Sequence, residues 1–233
     1  MKRIAILQSN YIPWKGYFDI IRGVDEFILY DDVQYTHSDW RNRNRIMTKN
    51  GPIWLTIPVN RVDMNQKIKD SFVSNHFWIK KHKNSISNSY SKAKYWDEVA
   101  DFLFDIYEKC EDENRLSIIN HSFITGICDY LGIDTKISWS MDYEYSGNKT
   151  ERLVSLVQAA GGESYLSGPA AKSYIDRECF ERAGIELKWM DYSGYPEYHQ
   201  LGPEFCHEVS IMDMLFNLGK DTLQYMKNWE TDN

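Results

Sequence analysis

The sequence has few of the features that mark membrane, secreted or metal-binding proteins. Its four cysteines, among 233 residues, form no Cys-x-x-Cys pair. Such wide spacing predicts reduced thiols rather than a zinc site or a redox pair. No stretch approaches the roughly 20 apolar residues of a membrane span, and the apolar run at residues 4–7 is too short for a secretion signal. We therefore expect a cytoplasmic protein without a membrane span.

The common catalytic motifs are also missing. The sequence contains no Gly-x-Ser-x-Gly, no P-loop and no Gly-x-Gly-x-x-Gly. His76 and His82 are spaced so that they would not share one face of a helix. Acyl-enzyme chemistry and metal-dependent hydrolysis therefore have little support. No metal site is predicted, and the cofactor stays unknown.

The chain is acidic, with 27 Lys and Arg against 34 Asp and Glu and a net charge of −7. This charge repels phosphate backbones and disfavours generic nucleic-acid binding. One local basic patch, Trp40-Arg41-Asn42-Arg43-Asn44-Arg45, has enough positive charge to hold a single nucleotide-linked substrate. The eight Trp and sixteen Tyr either fill a core or line a polar, aromatic cleft.

Strand and helix signals alternate along the chain. Residues 4–7 predict a buried strand, 16–23 a helix and 27–30 a second strand, which together form a βαβ unit. The alternation resumes with strands at 136–139, 164–166 and 185–190 and a helix at 151–160. Ser210 is predicted to cap a helix that runs through Leu215. The pattern predicts a Rossmann-like α/β fold with a mostly parallel sheet.

Two segments interrupt this alternation. Asn50-Gly51 predicts a hairpin turn, and Trp54-Leu55-Thr56-Ile57 predicts the returning strand. Residues 75–131 show three amphipathic helical stretches, with Gly132 as the cap of the last one. We therefore expect a single domain over residues 1–233, with a helical insertion at about 75–132.

The turn after the first strand is the first candidate site, because ligands of open α/β sheets collect at the carboxyl ends of strands. A helix that starts after Pro13 offers backbone amides to an anion, the glycine permits close approach, and the aromatic rings offer stacking faces. The candidate binding residues in this turn are Gln8, Tyr11, Trp14, Gly16 and Tyr17. An aromatic-rich turn without a ligand is the structural alternative.

A second polar cluster follows the second strand, at the same edge of the sheet. Its carboxylates are candidate general bases, its amides suit sugar hydroxyls, and its guanidinium groups suit phosphate. Alternation along a strand predicts Arg41, Arg43 and Arg45 on one face. The candidate residues here are Asp31, Asp32, Gln34, Trp40, Arg41, Asn42 and Arg43. A solvated edge strand protected by charge is the alternative interpretation.

Two later segments carry weaker signals. Ser167 and Gly168 end a predicted strand and offer backbone amides to phosphate, although Ser-Gly-Pro is also a common loop sequence. Tyr198 and Gln200 lie in a polar, aromatic segment near the C-terminus and are candidate binding residues. His199, between them, is predicted to be structural rather than a catalytic base.

Separated motifs occur in order across nearly the whole chain. They are Gln8-Ser9-Asn10-Tyr11-Ile12-Pro13-Trp14-Lys15-Gly16-Tyr17-Phe18, Asp31-Asp32-Val33-Gln34-Tyr35, Trp40-Arg41-Asn42-Arg43, Trp54-Leu55-Thr56-Ile57-Pro58-Val59, Tyr165-Leu166-Ser167-Gly168-Pro169, Tyr198-His199-Gln200 and Ser210-Ile211-Met212-Asp213-Met214-Leu215-Phe216-Asn217. In this combination they resemble the WbqC-like family, whose members accompany genes for O-antigen and related surface glycans. Ser9 departs from the family pattern, which often has proline there.

The resemblance implies a role in the biosynthesis of a bacterial surface polysaccharide. It implies an acyl or aminoacyl transferase, of the glycine-transferring type, that modifies the amine of a nucleotide-linked amino sugar and takes a separate acyl donor. On this hypothesis Asp31 or Asp32 is the base, and Arg41 and Arg43 hold a diphosphate or carboxylate. Trp14 and Tyr17 stack on the substrate.

Two alternatives stay open. The layout of the first turn and of the later Ser-Gly loop is similar to that of nucleotidyltransferases and class I aminoacyl-tRNA synthetases. Those enzymes carry a His-x-Gly-His-type signature, whereas Trp14 and Tyr17 stand in the comparable places here. A nucleotidyltransferase acting on a sugar phosphate is therefore the enzymatic alternative, and a non-catalytic protein that binds a glycan precursor is the other.

Overall fold

The computed structural model describes residues 1–227, and its centre is a five-stranded parallel sheet. The strands are β1 (Arg3–Leu7), β2 (Glu26–Leu29), β3 (Arg43–Thr48), β4 (Gly51–Thr56), β5 (Lys136–Trp139), β6 (Ser164–Ser167) and β7 (Glu186–Trp189). The helices are α1 (Lys15–Arg22), α2 (Phe77–Tyr90), α3 (Trp96–Lys109), α4 (Leu116–Leu131), α5 (Lys149–Ala159), α6 (Arg177–Arg182) and α7 (Met212–Leu218). The predicted Rossmann-like α/β fold is confirmed.

The strand order β5-β2-β1-β6-β7 puts β1 at the centre of the sheet. From β1 the chain moves outward to β2 and β5, and then returns through α5 to β6 and β7 on the other side. This reversal leaves a crevice at the carboxyl ends of β1 and β6, where open α/β sheets bind their ligands. The topology therefore locates a candidate site before any side chain is considered.

Alternate residues of the central strands face two separate cores. Ala5 and Phe27 belong to the core on the side of α1 and α4, whereas Ile4, Ile6 and Ile28 belong to the core on the side of α5 and α6. A parallel strand that is covered on both faces has to be apolar along its whole length. This is why the sequence shows short continuous apolar runs at β1 and β2 rather than alternation.

The three helices predicted within residues 75–132 are confirmed as α2, α3 and α4. On α3, Val99, Leu103 and Ile106 are buried at the spacing of three and four residues that makes one apolar face. Gly132 ends α4 with a φ of 69°, a left-handed conformation that glycine adopts without steric cost. The assignment of sheet and helices to a single domain stays a prediction.

The hairpin turn differs from its prediction by one residue. Thr48 pairs with Gly51, so the two turn residues are Lys49 and Asn50. Gly51 follows them as the first residue of β4, with a φ of 104°. The glycine therefore takes the left-handed conformation just after the turn rather than within it.

Helix boundaries also differ from prediction by one to three residues, and the starts of α5 and α7 are two examples. The helix α5 begins at Lys149 rather than at 151, because Asn148 already has the extended conformation of a cap. The helix α7 begins at Met212 with Ile211 as its N-cap, so Ser210 is not the cap. The hydroxyl of Ser210 nevertheless accepts a hydrogen bond from the Met212 N–H, at 3.3 Å.

Three general features hold for residues 1–227. All four cysteines are free. This part of the chain contains no group of three or more His, Cys, Asp or Glu side chains that could hold a metal ion. None of its helices combines the length and the apolar character needed to cross a membrane.

His82 on α2 gives the fold a predicted dependence on pH. Its Nδ1 lies 2.9 Å from the Tyr11 hydroxyl, and burial lowers the pKa of the imidazole to about 4. The unfolded chain takes up this proton near the ordinary histidine pKa of about 6.5. The stability that the neutral imidazole contributes is therefore fully present above about pH 6.5. It is lost as the pH falls from there toward the folded-state pKa.

We expect His82 by itself to lower the free energy of unfolding by about 2 kcal/mol between pH 7 and pH 5. His82→Gln should remove this part of the pH dependence, measured by urea denaturation at several pH values. The matched control is His199→Gln, because His199 is exposed. Parallel pH profiles for the wild type and His82→Gln would contradict the assignment.

Candidate functional site

A cavity of about 780 Å³ opens at the carboxyl ends of β1 and β6, in the crevice that the strand order creates. The wall residues with functional groups include Gln8, Tyr30, Lys149, Arg152, Ser167 and Gly168. Three of them, Gln8, Ser167 and Gly168, are candidates from the sequence. The turn after β1 and the Ser-Gly-Pro loop, far apart in sequence, thus meet at one site.

The N-terminus of α5 forms one side of this cavity. Asn148, the N-cap residue, makes no side-chain hydrogen bond to the amides of the first turn, and these amides carry the positive end of the helix dipole. Lys149 adds a full charge and has a φ of 48°. Left-handed conformations of non-glycine residues cost roughly 1–2 kcal/mol and concentrate at functional sites. Together these features suit the binding of an anion.

Arg152, also on α5, is held in place by Asp32. The Asp32 carboxylate accepts hydrogen bonds from the hydroxyls of Ser140 and Tyr145, both at 2.7 Å, and pairs with the Arg152 guanidinium. Burial raises the pKa of Asp32, but these hydrogen bonds and the arginine outweigh burial and leave its pKa below the ordinary value. The carboxylate therefore stays charged at neutral pH and orients Arg152 at the cavity wall. Its role as a base stays a prediction.

Gln8 connects the cavity to the basic patch. Its Oε1 accepts a hydrogen bond from Arg41 Nη1 at 2.9 Å, and its backbone carbonyl accepts one from the Tyr17 hydroxyl at 3.0 Å. The Nε of Arg41 is buried and has no hydrogen-bond partner. Because Arg41 lies in the turn before β3, it does not share a strand face with Arg43 and Arg45, and that part of the prediction is wrong.

Asp31 lies beneath the loop that follows β1 and is wholly buried. Its carboxylate accepts hydrogen bonds from the Ser9 N–H, at 2.8 Å, and from the Ser117 hydroxyl on α4. Asn120, also on α4, donates to the Ser9 hydroxyl at 3.1 Å and to the Arg41 carbonyl at 2.9 Å. Burial raises the pKa of Asp31. The observed contacts support the loop from below, and a catalytic role for Asp31 stays a prediction.

Two predicted binding residues have their side chains buried inside the protein. Tyr11 is fully buried, and its hydroxyl contacts His82 Nδ1 at 2.9 Å and the Tyr107 hydroxyl. The amide of Asn42 is also buried and donates to the Ile57 carbonyl at 2.8 Å. The contacts that the structure shows for these two residues are therefore contacts of the core.

Trp14 and Gly16 pack against each other at the start of α1. A Cβ atom on residue 16 would lie 2.4 Å from Cζ2 of Trp14, so the glycine makes room for the indole. The indole also meets Tyr192 and Tyr195, at centroid distances of 5.0 and 6.0 Å. Trp14 lines a different cavity, of about 310 Å³, beside the β3–β4 hairpin.

Tyr198 and Gln200 do not line the cavity at α5. Both donate hydrogen bonds to one carboxylate oxygen of Asp213 on α7, Gln200 at 2.7 Å, while the Tyr90 hydroxyl on α2 donates to the other oxygen at 2.9 Å. Burial raises the pKa of Asp213. This buried polar cluster fastens the C-terminal segment to the helices.

Three further candidates, Gln34, Trp40 and Arg43, do not line the cavity at α5. Gln34 is exposed and donates to the Met64 carbonyl. Trp40 lies next to the β3–β4 hairpin, and Arg43 is the first residue of β3. The Arg43 guanidinium is 4.1 Å from the ring centroid of Trp54. The sixteen sequence candidates therefore divide among the cavity at α5, its supporting network, the core, the hairpin surface and the Asp213 cluster, while Gln34 stands in an exposed segment.

The sequence predictions omit Lys149 and Arg152, the two cations of the cavity. A weak local signal exists, because asparagine is a common N-cap residue and Asn148 stands directly before Lys149. The sequence pattern predicts the helix only from residue 151, so this segment falls outside it. Tyr30 and Tyr145 carry no such local signal, since only the tertiary structure brings them to Arg152.

Comparisons with other proteins identify the family to which the chain is similar. A family model described as the WbqC-like protein family matches residues 8–225. The chain is 47% identical, over 228 residues, to Uncharacterized protein Rv1507c of Mycobacterium tuberculosis (strain ATCC 25618 / H37Rv), and the match covers 97% of this chain and 98% of that protein. No solved structure matches the chain. The family match includes Gln8, Asp32, Lys149 and Arg152.

Proposed function

Because the chain belongs to the WbqC-like protein family, we propose that it takes part in building a bacterial surface polysaccharide, by transferring an acyl or aminoacyl group to the amine of a nucleotide-linked amino sugar. The observation that carries this proposal is the cavity of about 780 Å³ at the carboxyl ends of β1 and β6. Open α/β sheets bind nucleotides at this point. Small-molecule sites have volumes of about 300–1,000 Å³, so the cavity suits a nucleotide-linked sugar.

In this proposal the diphosphate of the substrate lies at the N-terminus of α5. The first-turn amides, Lys149 and Arg152 supply the positive charge there. Tyr30, whose ring centroid is 5.5 Å from the Arg152 guanidinium carbon, offers a flat face to a base or a sugar. Gln8 and Ser167 offer hydrogen-bond partners to hydroxyl groups.

Acyl transfer requires the amine nitrogen to form a bond to the acyl carbon while the bond from that carbon to its carrier breaks. The amine loses a proton to a base, and the carbonyl oxygen needs a donor while it is negative. Asp32 is the predicted base that contacts the cavity wall, since it pairs with Arg152. Its lowered pKa makes it a weak base, so the amine has to enter in its neutral form. We assign the Lys149 ammonium as the donor to the carbonyl oxygen.

One feature favours a second candidate, nucleotidyl transfer to a sugar phosphate. Among the described residues, the cavity wall contains Lys149 and Arg152 but no carboxylate and no histidine. Such a wall can stabilise the negative charge that develops on a phosphate group during its transfer. Within the part of the chain that the structure describes, it contains no carboxylate or imidazole side chain that could take a proton directly from an amine. Pyrophosphate release from a nucleoside triphosphate and a sugar phosphate would identify this reaction.

We expect nucleotide-linked amino sugars to raise the Tm of the protein, because a ligand that binds only the native state stabilises it. At a ligand concentration 100 times the Kd, the gain is about 2.7 kcal/mol, or roughly 5–10 °C for a chain of this size. Lys149→Ala should weaken binding about tenfold. Lys94→Ala is the matched control, because it removes an exposed charge that does not line the cavity.

The same preparation distinguishes the candidate functions when thioesters, aminoacyl adenylates or charged transfer RNA are added as donors. Acylated sugar detected by mass spectrometry would support the transferase. A shift with triphosphates alone, followed by pyrophosphate release, would support nucleotidyl transfer. A shift without turnover of any donor would identify a precursor-binding protein. Equal shifts in the wild type and Lys149→Ala would contradict the placement of the substrate.

A further inference from the structure

A second cavity system lies beside the β3–β4 hairpin. Two cavities of about 310 and 360 Å³ share Trp40 and Glu208 in their walls. We refer to the surface that they form as the tryptophan groove, and define it by Trp14, Trp40, Trp54, Arg43, Arg45 and Glu208. None of these residues lines the cavity at α5.

The hairpin aligns the aromatic and cationic side chains of the groove. Arg45 is the direct cross-strand partner of Trp54, and Arg43 lies two residues along the same face. The two guanidinium groups are 5.5 and 4.1 Å from the ring centroid of Trp54. Trp40 lies 5.5 Å from Trp54, and the two residues are 39% and 44% exposed. Neighbouring tryptophans with this much exposed surface are not explained by core packing and indicate a binding surface.

Two of the three arginines at the groove are paired with carboxylates. Arg45 donates to the Glu208 carboxylate at 2.7 Å, and Arg41 pairs with Asp39 at 3.4 Å. Among the residues that the structure describes, Arg43 has no carboxylate partner, and its guanidinium packs on Trp54 instead. The groove therefore offers hydrogen-bond donors and acceptors side by side, and these suit the hydroxyl groups of a neutral ligand.

Two polar atoms beside the groove have no partner within the protein. The Nε of Arg43 is a buried donor without an acceptor, and the Oδ1 of Asn10 is a buried acceptor without a donor. Both residues line the cavities that form the groove. A ligand with hydroxyl groups satisfies both kinds of atom, because a hydroxyl donates and accepts at once.

We propose that the tryptophan groove binds a neutral pyranose ring. The C–H groups on one face of the sugar pack on the exposed indoles, and its hydroxyls bond to Arg43, Asn10 and Glu208. The inference rests on the proposed function in one respect only, that this sugar and the nucleotide in the cavity belong to one reaction. The hydrogen bond from Arg41 to Gln8 lies between the two sites, since Arg41 adjoins Trp40 in the chain and Gln8 lines the cavity.

The test is saturation-transfer NMR and titration of the full chain with the methyl glycosides of N-acetylglucosamine, N-acetylgalactosamine and glucose. We expect saturable binding of at least one glycoside, weakened roughly tenfold by Trp54→Ala. Trp139→Ala is the matched control, because Trp139 stacks on His121 away from the groove. Arg43→Lys, which keeps the charge but removes Nε, should also weaken binding.

The outcomes separate this inference from the proposed function. Glycoside binding that survives in Lys149→Ala and is lost in Trp54→Ala would support the groove, even if no nucleotide raises the Tm. Absence of binding by every glycoside would overturn the inference. Equal affinities in Trp54→Ala and Trp139→Ala would overturn it as well, and so would binding of uridine monophosphate in the groove in preference to the glycosides.

Discussion

Replacing Asp213 with alanine is expected to lower the free energy of unfolding by about 3–5 kcal/mol. The carboxylate is buried and accepts hydrogen bonds from Tyr90 at 2.9 Å, from Gln200 at 2.7 Å and from Tyr198. Asp213→Ala leaves these donors buried without an acceptor, and each unsatisfied group costs roughly 1–3 kcal/mol. The Tyr90 hydroxyl keeps the hydrogen bond that it accepts from the Met47 N–H, so only its proton loses a partner.

Urea denaturation measures this loss, with Asp221→Ala as the matched control. Asp221 is exposed, so its removal should change the free energy of unfolding by no more than about 0.5 kcal/mol. A double-mutant cycle with Tyr198→Phe should show coupling, because the second change removes the Tyr198 hydroxyl, one of the donors that Asp213→Ala leaves without an acceptor. A loss below about 1 kcal/mol for Asp213→Ala would contradict the structural role assigned to the cluster.

Asp31→Ala is expected to cost about 3–4 kcal/mol of stability and to weaken substrate binding as well. The change leaves the Ser9 N–H and the Ser117 hydroxyl without the acceptor that the Asp31 carboxylate provides. Ser9 directly follows Gln8, a residue of the cavity wall. Loss of the support beneath Ser9 should therefore misplace the Gln8 side chain and its hydrogen bond to Arg41.

Asp31→Asn distinguishes a role in supporting the loop after β1 from a role as the catalytic base. The amide keeps an oxygen that can accept from the Ser9 N–H, but it cannot take up a proton as a carboxylate does. If Asp31 is the base, this variant loses turnover while it keeps its fold; if Asp31 only supports the loop, turnover with an identified substrate persists. Asp32→Asn is the comparison, since Asp32 contacts the cavity residue Arg152. Full turnover in both variants would remove the two predicted bases from the mechanism.

The secondary structure follows largely from local sequence patterns. The sequence predicts the strands β1 and β2 from their apolar runs, α3 from its three- and four-residue spacing, and the end of α4 from the glycine after it. Each of these signals depends only on neighbours in the chain. The sequence also placed Gln8, Ser167 and Gly168 at strand ends, and in a parallel sheet these ends share one edge.

What each polar side chain does was decided by tertiary structure. Tyr11 and Asn42 were attractive candidates in the sequence, yet their partners are His82 and the Ile57 carbonyl, which come from other elements. Whether a polar group faces a ligand or a neighbouring element depends on contacts between distant segments, which local periodicity does not encode.

The sequence by itself therefore determined the α/β fold and the edge of the sheet at which the candidate site lies. The tertiary structure alone selected the wall of that site, because Lys149 and Arg152 reach it only after α5 returns across the sheet to β6. It also kept Arg43 and Arg45 of the basic patch out of the cavity wall, since the β3–β4 hairpin directs them to Trp54. The physical reason is that strand and helix formation are local, whereas the enclosure of a cavity depends on the order in which the strands pair.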